Sequence, residues 1–229
     1  MRYKIVSHDS SSTDPYRLQA PSEPTSVRSW KPDDPRRRLV EEKRRAILEA
    51  ARPIFLREGW AGATLDRVAA ESGISKMTVY RHFSNKDDLF QALVETMCEA
   101  MRGEAESAPH ATDEMLPADR LRREAEGFTA ALVRPDALAL YRVIVADGWR
   151  FPALPRTFER SGLAVLRRRV ASILSQLDLA EDERARRASG FIAIALGDAY
   201  LEAAIGLDDP ARGSRFADQI ADAVRFALS

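Results

Sequence analysis

The stretch TLDRVAAESGISKMTVYRHFSNK, residues 64–86, constrains this chain more than any other. It spells two short helices joined by a tight turn. Thr64 can cap the first helix by accepting from an otherwise unpaired backbone N–H. Val68 and Ala69 point inward, and Ala69 is small enough for the next helix to cross closely. Gly73 sits where the chain must turn, and glycine takes a positive φ without steric cost. Ile74 plugs the turn into the core. Ser75 caps the second helix, which buries Val79 and Phe83. Lys76, Met77, Thr78, Tyr80, Arg81 and His82 are left on the outer side. This is a helix-turn-helix whose second helix has the shape to enter a DNA major groove.

The spacing, both caps and the run YRHFSNKDDLF closely resemble the DNA-binding domain of the TetR family of bacterial transcriptional regulators. The family pattern, T-x-x-x-I-A-x-x-A-G-V-S-x-x-x-x-Y-x-H-F-x-x-K-x-x-L, is met from Thr64 to Leu89, with Val68 and Ser72 as mild departures. The resemblance is strong over about residues 40–102 and weaker over the rest. It implies an all-α protein: an N-terminal three-helix DNA-binding domain and a C-terminal helical bundle for ligand binding and dimerisation.

The resemblance singles out Thr64, Lys76, Met77, Thr78, Tyr80, His82 and Lys86 as DNA-binding residues. Lys76 can donate to guanine O6 or N7, or to a phosphate. Met77 and Thr78 are short enough for thymine methyls and phosphates. Tyr80 has a hydroxyl that must leave the core to find a partner, and in TetR-like proteins the matching tyrosine touches DNA. His82 reads as a phosphate contact. Thr64 serves as a cap and, by resemblance, against phosphate as well. Lys86 is expected to meet the backbone as a point charge. Arg67 and Arg81 are equally well read as solvated.

Composition agrees. Net charge is zero, with 35 Lys/Arg and 35 Asp/Glu, so the whole molecule carries no basic signature. The distribution says more. Residues 36–102 carry 13 Lys/Arg against 10 Asp/Glu, and residues 103–229 carry 17 against 20. The front is mildly basic, as expected if only the front meets phosphates. Cys98 is the single cysteine, which excludes an intramolecular disulfide and makes a reducing compartment the default. With no signal-peptide pattern and no long apolar run, a cytoplasmic protein without a membrane partner is expected. His8, His82 and His110 do not cluster with one another or with cysteine, so neither a metal nor another cofactor is expected.

Three segments follow along the chain. Residues 1–35, with five prolines and seven serines, read as a disordered leader. Its basic end is either a solvated tail or an arm for an adjacent minor groove. Residues 36–102 hold the DNA-binding domain and a linking helix. Helical periodicity runs over 37–58 and from Ser84 onward. Pro53 should bend the first helix and Gly59 should end it. Residues 103–229 form the effector-binding and dimerisation domain. Residues 103–117 are polar and proline-broken, and helices are expected near 118–133, 136–150, 163–177, 182–206 and 212–228. Residues 151–162 read as a short break with one turn of helix.

The segment YRVIVADGWRFPALPRTFERSG, residues 141–162, resembles the effector domain of AefR-like TetR regulators, with Asp147 where the relatives usually carry Glu. Family members bind small molecules in the helical body, and an apolar or aromatic effector fits this chain. The candidate lining residues are Phe128, Leu132, Tyr141, Val145, Trp149, Phe151 and Phe158. The Ala- and Gly-rich run 188–207 and helix 212–228, with Phe216, Ile220, Val224 and Ala227, offer faces for a homodimer, which a pseudo-palindromic double-stranded operator requires. Gly190, Ala193, Gly197 and Ala204 are the small positions at which another helix can approach closely, and part of this surface must serve the intramolecular bundle core. The function expected is a transcriptional repressor released by its effector, with an activator or an effector-independent DNA-bound protein as alternatives. No phosphate loop, G-x-S-x-G or metal-spaced set points to an enzyme. Asp147 with Arg142 or Arg150 could make a buried polar pair, but helical surfaces carry such pairs routinely.

Overall fold

The computed structural model describes residues 34–106 and 115–229. The expected leader therefore lies almost wholly outside the described residues, and so does the middle of the segment 103–117. All regular structure among the described residues is helical.

The head begins with α1 (Pro35–Gly62), which opens on an Asp34 cap and a proline in its first turn. Proline suits that position because the N–H it lacks is unpaired there anyway. Pro53 leaves α1 helical, with its ring on the solvent side. The break comes instead at Gly59, with φ 70° and ψ −174°, after which one further turn carries the buried Trp60. Only glycine takes such a backbone cheaply. Two short helices follow, α2 (Leu65–Ser72) and α3 (Lys76–His82), joined through Gly73 at φ 66°. The long α4 (Lys86–Glu106) leaves the head, with Asn85 Oδ1 accepting from Asp88 N at its start.

The body holds α5 (Pro117–Leu132), α6 (Pro135–Asp147), α7 (Ala153–Phe158), α8 (Ala164–Leu174), α9 (Glu181–Ile205) and α10 (Arg212–Leu228). Residues 151–162 are not the break expected. A π-helical turn, Glu159–Leu163, joins α7 directly to α8. Of the two prolines of FPALPRTF, Pro152 precedes α7 and Pro155 falls in its first turn, where neither interrupts anything.

Packing joins head to body. Ile47, Phe55, Val68, Val79, Phe83, Phe90 and Leu93 form one apolar cluster with Leu140, Val143, Ile144 and Leu154 of α6 and α7. A second core, built on Leu121, Phe128, Val170, Leu174, Phe191, Ile220 and Val224, holds α5, α8, α9 and α10 together. One window of α9 is apolar enough in length and composition to cross a membrane. Here Phe191, Ala195 and Ala199 are buried in the body among its neighbouring helices.

The α9–α10 pairing uses up some of the surface expected for a second copy. Phe216, Ile220, Val224 and Ala227 all face the intramolecular core. A Cβ at Gly190 would run into the Phe226 ring, and one at Gly197 into the Gln219 side chain. Both glycines therefore accommodate α10 of the same chain. Ala204 is also buried. Leu201, Ile205 and Leu207 remain open around the C-terminal end of α9, with Ile205 76% exposed, and Phe226 is partly open beside Gly190.

Candidate nucleic-acid interface and effector cavity

The outer side of α3 is built from the turn upward. Ser75 Oγ accepts from Thr78 N at 3.3 Å and pairs with the Thr78 hydroxyl at 2.9 Å, which fixes the start of the helix. Val79 and Phe83 are buried and lock the inner side into the head. Met77 is then 84% exposed and Tyr80 51% exposed, large apolar surfaces that a free monomer leaves in water. Lys76 lies beside them and donates to Asp66 Oδ2 of α2 at 2.7 Å. Thr64 caps α2, accepting from Arg67 N at 3.2 Å, and stands exposed on the same head.

Two expected contacts are drawn inward. Lys86 donates its ammonium to the Trp60 carbonyl at 2.7 Å and sits 4.8 Å from the Trp60 ring centroid. Burial lowers its pKa, while Asp87 and Asp147 pull it back up. It thus steadies the end of α1 and does not project as a free charge: Trp60 lies in the last turn of α1, whose carbonyls have no intrahelical donor. His82 is half-buried beside Phe83, and its Nε2 finds no partner among the described residues. Desolvation first, then Arg81, Arg44 and Lys43, hold its pKa below the usual histidine value. Arg44, which the sequence pattern did not single out, stacks 4.5 Å over the Phe83 ring and brings α1 charge to this edge.

Behind the head, α6 lies along α1 and grips it at two points. Arg52 of α1 pairs with Asp136 at the start of α6. At its end, Asp147 Oδ2 accepts from Trp60 N at 2.7 Å. Phe151 packs on the Trp60 ring at 5.2 Å between centroids. The carboxylate thereby caps the short turn that follows Gly59. Among the described residues Arg142 forms no pair with an acid, and it donates to the Ala204 and Ala203 carbonyls at 2.6 and 3.1 Å.

A cavity of about 70 Å³, open to solvent on one side, lies between α4, α5, the π turn and α8. Phe128, Leu132 and Phe158 line it, joined by Cys98 and Met101 of α4 and by Gly162, Val165 and Leu166. Its polar edge is a forked ion pair: Arg169 Nε to Glu124 Oε1 and Nη2 to Oε2, each at 2.9 Å.

Residues 47–93 match the family description "Bacterial regulatory proteins, tetR family", and residues 119–229 match "AefR-like transcriptional repressor, C-terminal domain". The chain belongs to the TetR family. Among curated relatives, the helix-turn-helix-type regulator YfiR of Bacillus subtilis is 40% identical over 72 residues, covering 31% of this chain and 35% of that protein. SrpR of Pseudomonas putida, also a helix-turn-helix-type transcriptional regulator, is 39% identical over 55 residues, or 24% and 26% of the two chains. The match spans about a third or less of these relatives' length. The solved structure of the flavonoid-responsive regulator FrrA covers 82% of this chain and 96% of its own, with a TM-score of 0.67 and 26% identity. The family and the relatives it contains are transcriptional regulators, not enzymes.

Within this TetR framework four of the expected lining residues lie outside the cavity. Tyr141 packs edge-on against Tyr200 of α9, 5.4 Å between ring centroids. Phe151 belongs to the head–body core. Val145 and Trp149 point into solvent, Trp149 at 79% exposure. Aromatic spacing along one helix does not say which neighbour each face meets, and α6 turns its inner face to α1. Cys98, Glu124 and Arg169 were missed for the same reason: they come together only through the crossing of three helices.

Proposed function

We propose that this TetR-family protein is a sequence-specific repressor that binds a pseudo-palindromic operator as a homodimer and lets go when a small apolar or aromatic molecule enters the body. The observation that carries the reading is the exposed side of α3, with Lys76, Met77 and Tyr80 outward and Val79 and Phe83 anchored in the core. Such a surface fits a major groove and has no other evident use. The match to a repressor-type C-terminal domain supports the sign of regulation. The apolar end of α9, with Leu201, Ile205 and Leu207, supports pairing with a second copy through α9 and α10. The cytoplasm is the compartment we infer, since DNA is the partner.

The cavity supports the effector role. Its wall carries Phe128 and Phe158, and FrrA, similar in fold, is described as flavonoid-responsive. The route to the head is short. Cys98 and Met101 place α4 in the cavity wall, and Phe158 opens the π turn that α7 joins to Phe151 and Trp60. A molecule wedged against α4 and the π turn favours a state in which the two heads no longer match the half-site spacing. It shifts that equilibrium only by its difference in affinity for the two states, and DNA must weaken its binding by the same factor.

The test is an anisotropy titration of the full chain onto a duplex recovered from its own genome, with and without the flavanone naringenin as probe. We expect a weaker DNA complex with the probe and an equal, reciprocal loss of probe affinity on DNA. Gly162→Leu, which fills the cavity beside Cys98, should leave DNA binding intact and abolish the response. A response undiminished in Gly162→Leu contradicts this cavity as the effector site.

A further inference from the structure

Two residues on the outer face of α3 converge on one carboxylate of α2. Lys76 Nζ donates to Asp66 Oδ2 at 2.7 Å, and the Tyr80 hydroxyl donates to Asp66 Oδ1 at 3.4 Å. The Lys76 and Asp66 side chains are 66% and 52% exposed. An ion pair this open to water contributes little to folding stability. Its position matters more than its strength. The two donors it engages are the ones the groove-facing helix would offer to DNA, and a phosphate oxygen competes for them with the same charge and the same geometry.

We propose that Asp66 is a specificity-determining residue that occupies Lys76 and Tyr80 in the free protein, so that only a duplex whose base edges accept from both repays their release. This rests on the DNA-binding reading above. Non-specific affinity for DNA follows the number of phosphates a protein neutralises. A carboxylate held on Lys76 cancels one such charge per head on the contact face. On an arbitrary duplex, freeing Lys76 exchanges one carboxylate for one phosphate, with little net gain. On the correct site the lysine and the tyrosine both gain directed base or backbone partners, and the exchange becomes favourable. Asp66 also repels phosphates that approach out of register. The hydrogen bond from Lys76 keeps the Asp66 carboxyl below its usual pKa, so the charge persists throughout the physiological range.

The experiment compares wild type, Asp66→Asn and Asp66→Asn/Lys76→Ala as full chains on a genome-selected duplex and on a shuffled duplex across salt. Asparagine keeps the size of the side chain and an acceptor for Tyr80, and removes only the charge. For Asp66→Asn we expect about tenfold tighter binding to the shuffled duplex at low salt, a salt slope steeper by about 0.9 per head, and a smaller gain on the selected duplex. The specificity ratio therefore falls. The second substitution should return the slope to that of wild type. An equal gain on both duplexes, or a gain that survives loss of Lys76, would mean general repulsion and would overturn the proposal. So would an unchanged slope and ratio. If wild type itself fails to distinguish the two duplexes, the DNA-binding reading falls, and with it the ground on which Asp66 was assigned.

Discussion

A single acceptor decides how the head is held. Trp60 N lies just past the Gly59 break, where the helical ladder offers it no carbonyl, and Asp147 Oδ2 takes its place at 2.7 Å. The fit is close: a Cβ at Gly59 would stand 3.0 Å from that oxygen. Exposed ion pairs on this protein are worth at most about 1 kcal/mol each, whereas a stranded backbone N–H costs about 1–3 kcal/mol. Asp147→Ala should therefore lower the unfolding free energy by about 1–2 kcal/mol in urea melts, the lower range because the site is half-buried. Asp147→Asn, which keeps an acceptor, should recover most of the loss. Equal losses in the two variants would show that charge, not the cap, matters here. The sequence named Asp147 as an odd residue in a recognisable segment but gave no partner for it. Its partner lies on α1, 87 positions away. Thr64, Gly73 and Ser75 were legible because caps and turns are local chemistry, and each does what its position required.

At the scale of elements, the two interrupted helices show what periodicity can and cannot reveal. Pro53 was the conspicuous residue of α1, yet the helix runs through it and breaks at Gly59, where the body supplies a cap. The break in α9 at Gly197 (φ 42°, ψ −151°) is repaired the same way from α10. There the Gln219 amide, turned so that its nitrogen faces Leu196 O and its oxygen faces Asp198 N, donates to the first at 3.2 Å and accepts from the second at 3.1 Å, the orientation its neighbours require. Spacing alone left open whether Gly197 admits a helix of the same chain or of a second copy, because a glycine row looks the same whichever helix it receives. Gln219→Leu leaves both backbone groups unpaired and should destabilise the chain by about 1–3 kcal/mol in urea unfolding. Unchanged stability in this variant would mean that water or a shift of α9 satisfies them. The helix at 153–163 was not foreseen because FPALPRTF carries two prolines. One precedes α7 and the other lies in its first turn, so neither interrupts a backbone bond.

For the whole molecule, the decisive feature is that the head's apolar core does not stop at the head. Leu140, Val143, Ile144 and Leu154 of the body pack into it, and α6 holds α1 at Arg52 and at Trp60. In the proposed mechanism, a molecule wedged beside α4 would act on a unit already joined to the groove-facing helix. The account is tested most directly by titrating the full chain onto a genome-selected duplex and a shuffled duplex of equal length, with Tyr80→Ala alongside. It predicts two chains per selected duplex, binding at least about 10³-fold tighter than to the shuffled one, and a preference much reduced in Tyr80→Ala with the fold intact. Equal affinity for the two duplexes, or a preference that Tyr80→Ala leaves untouched, contradicts it.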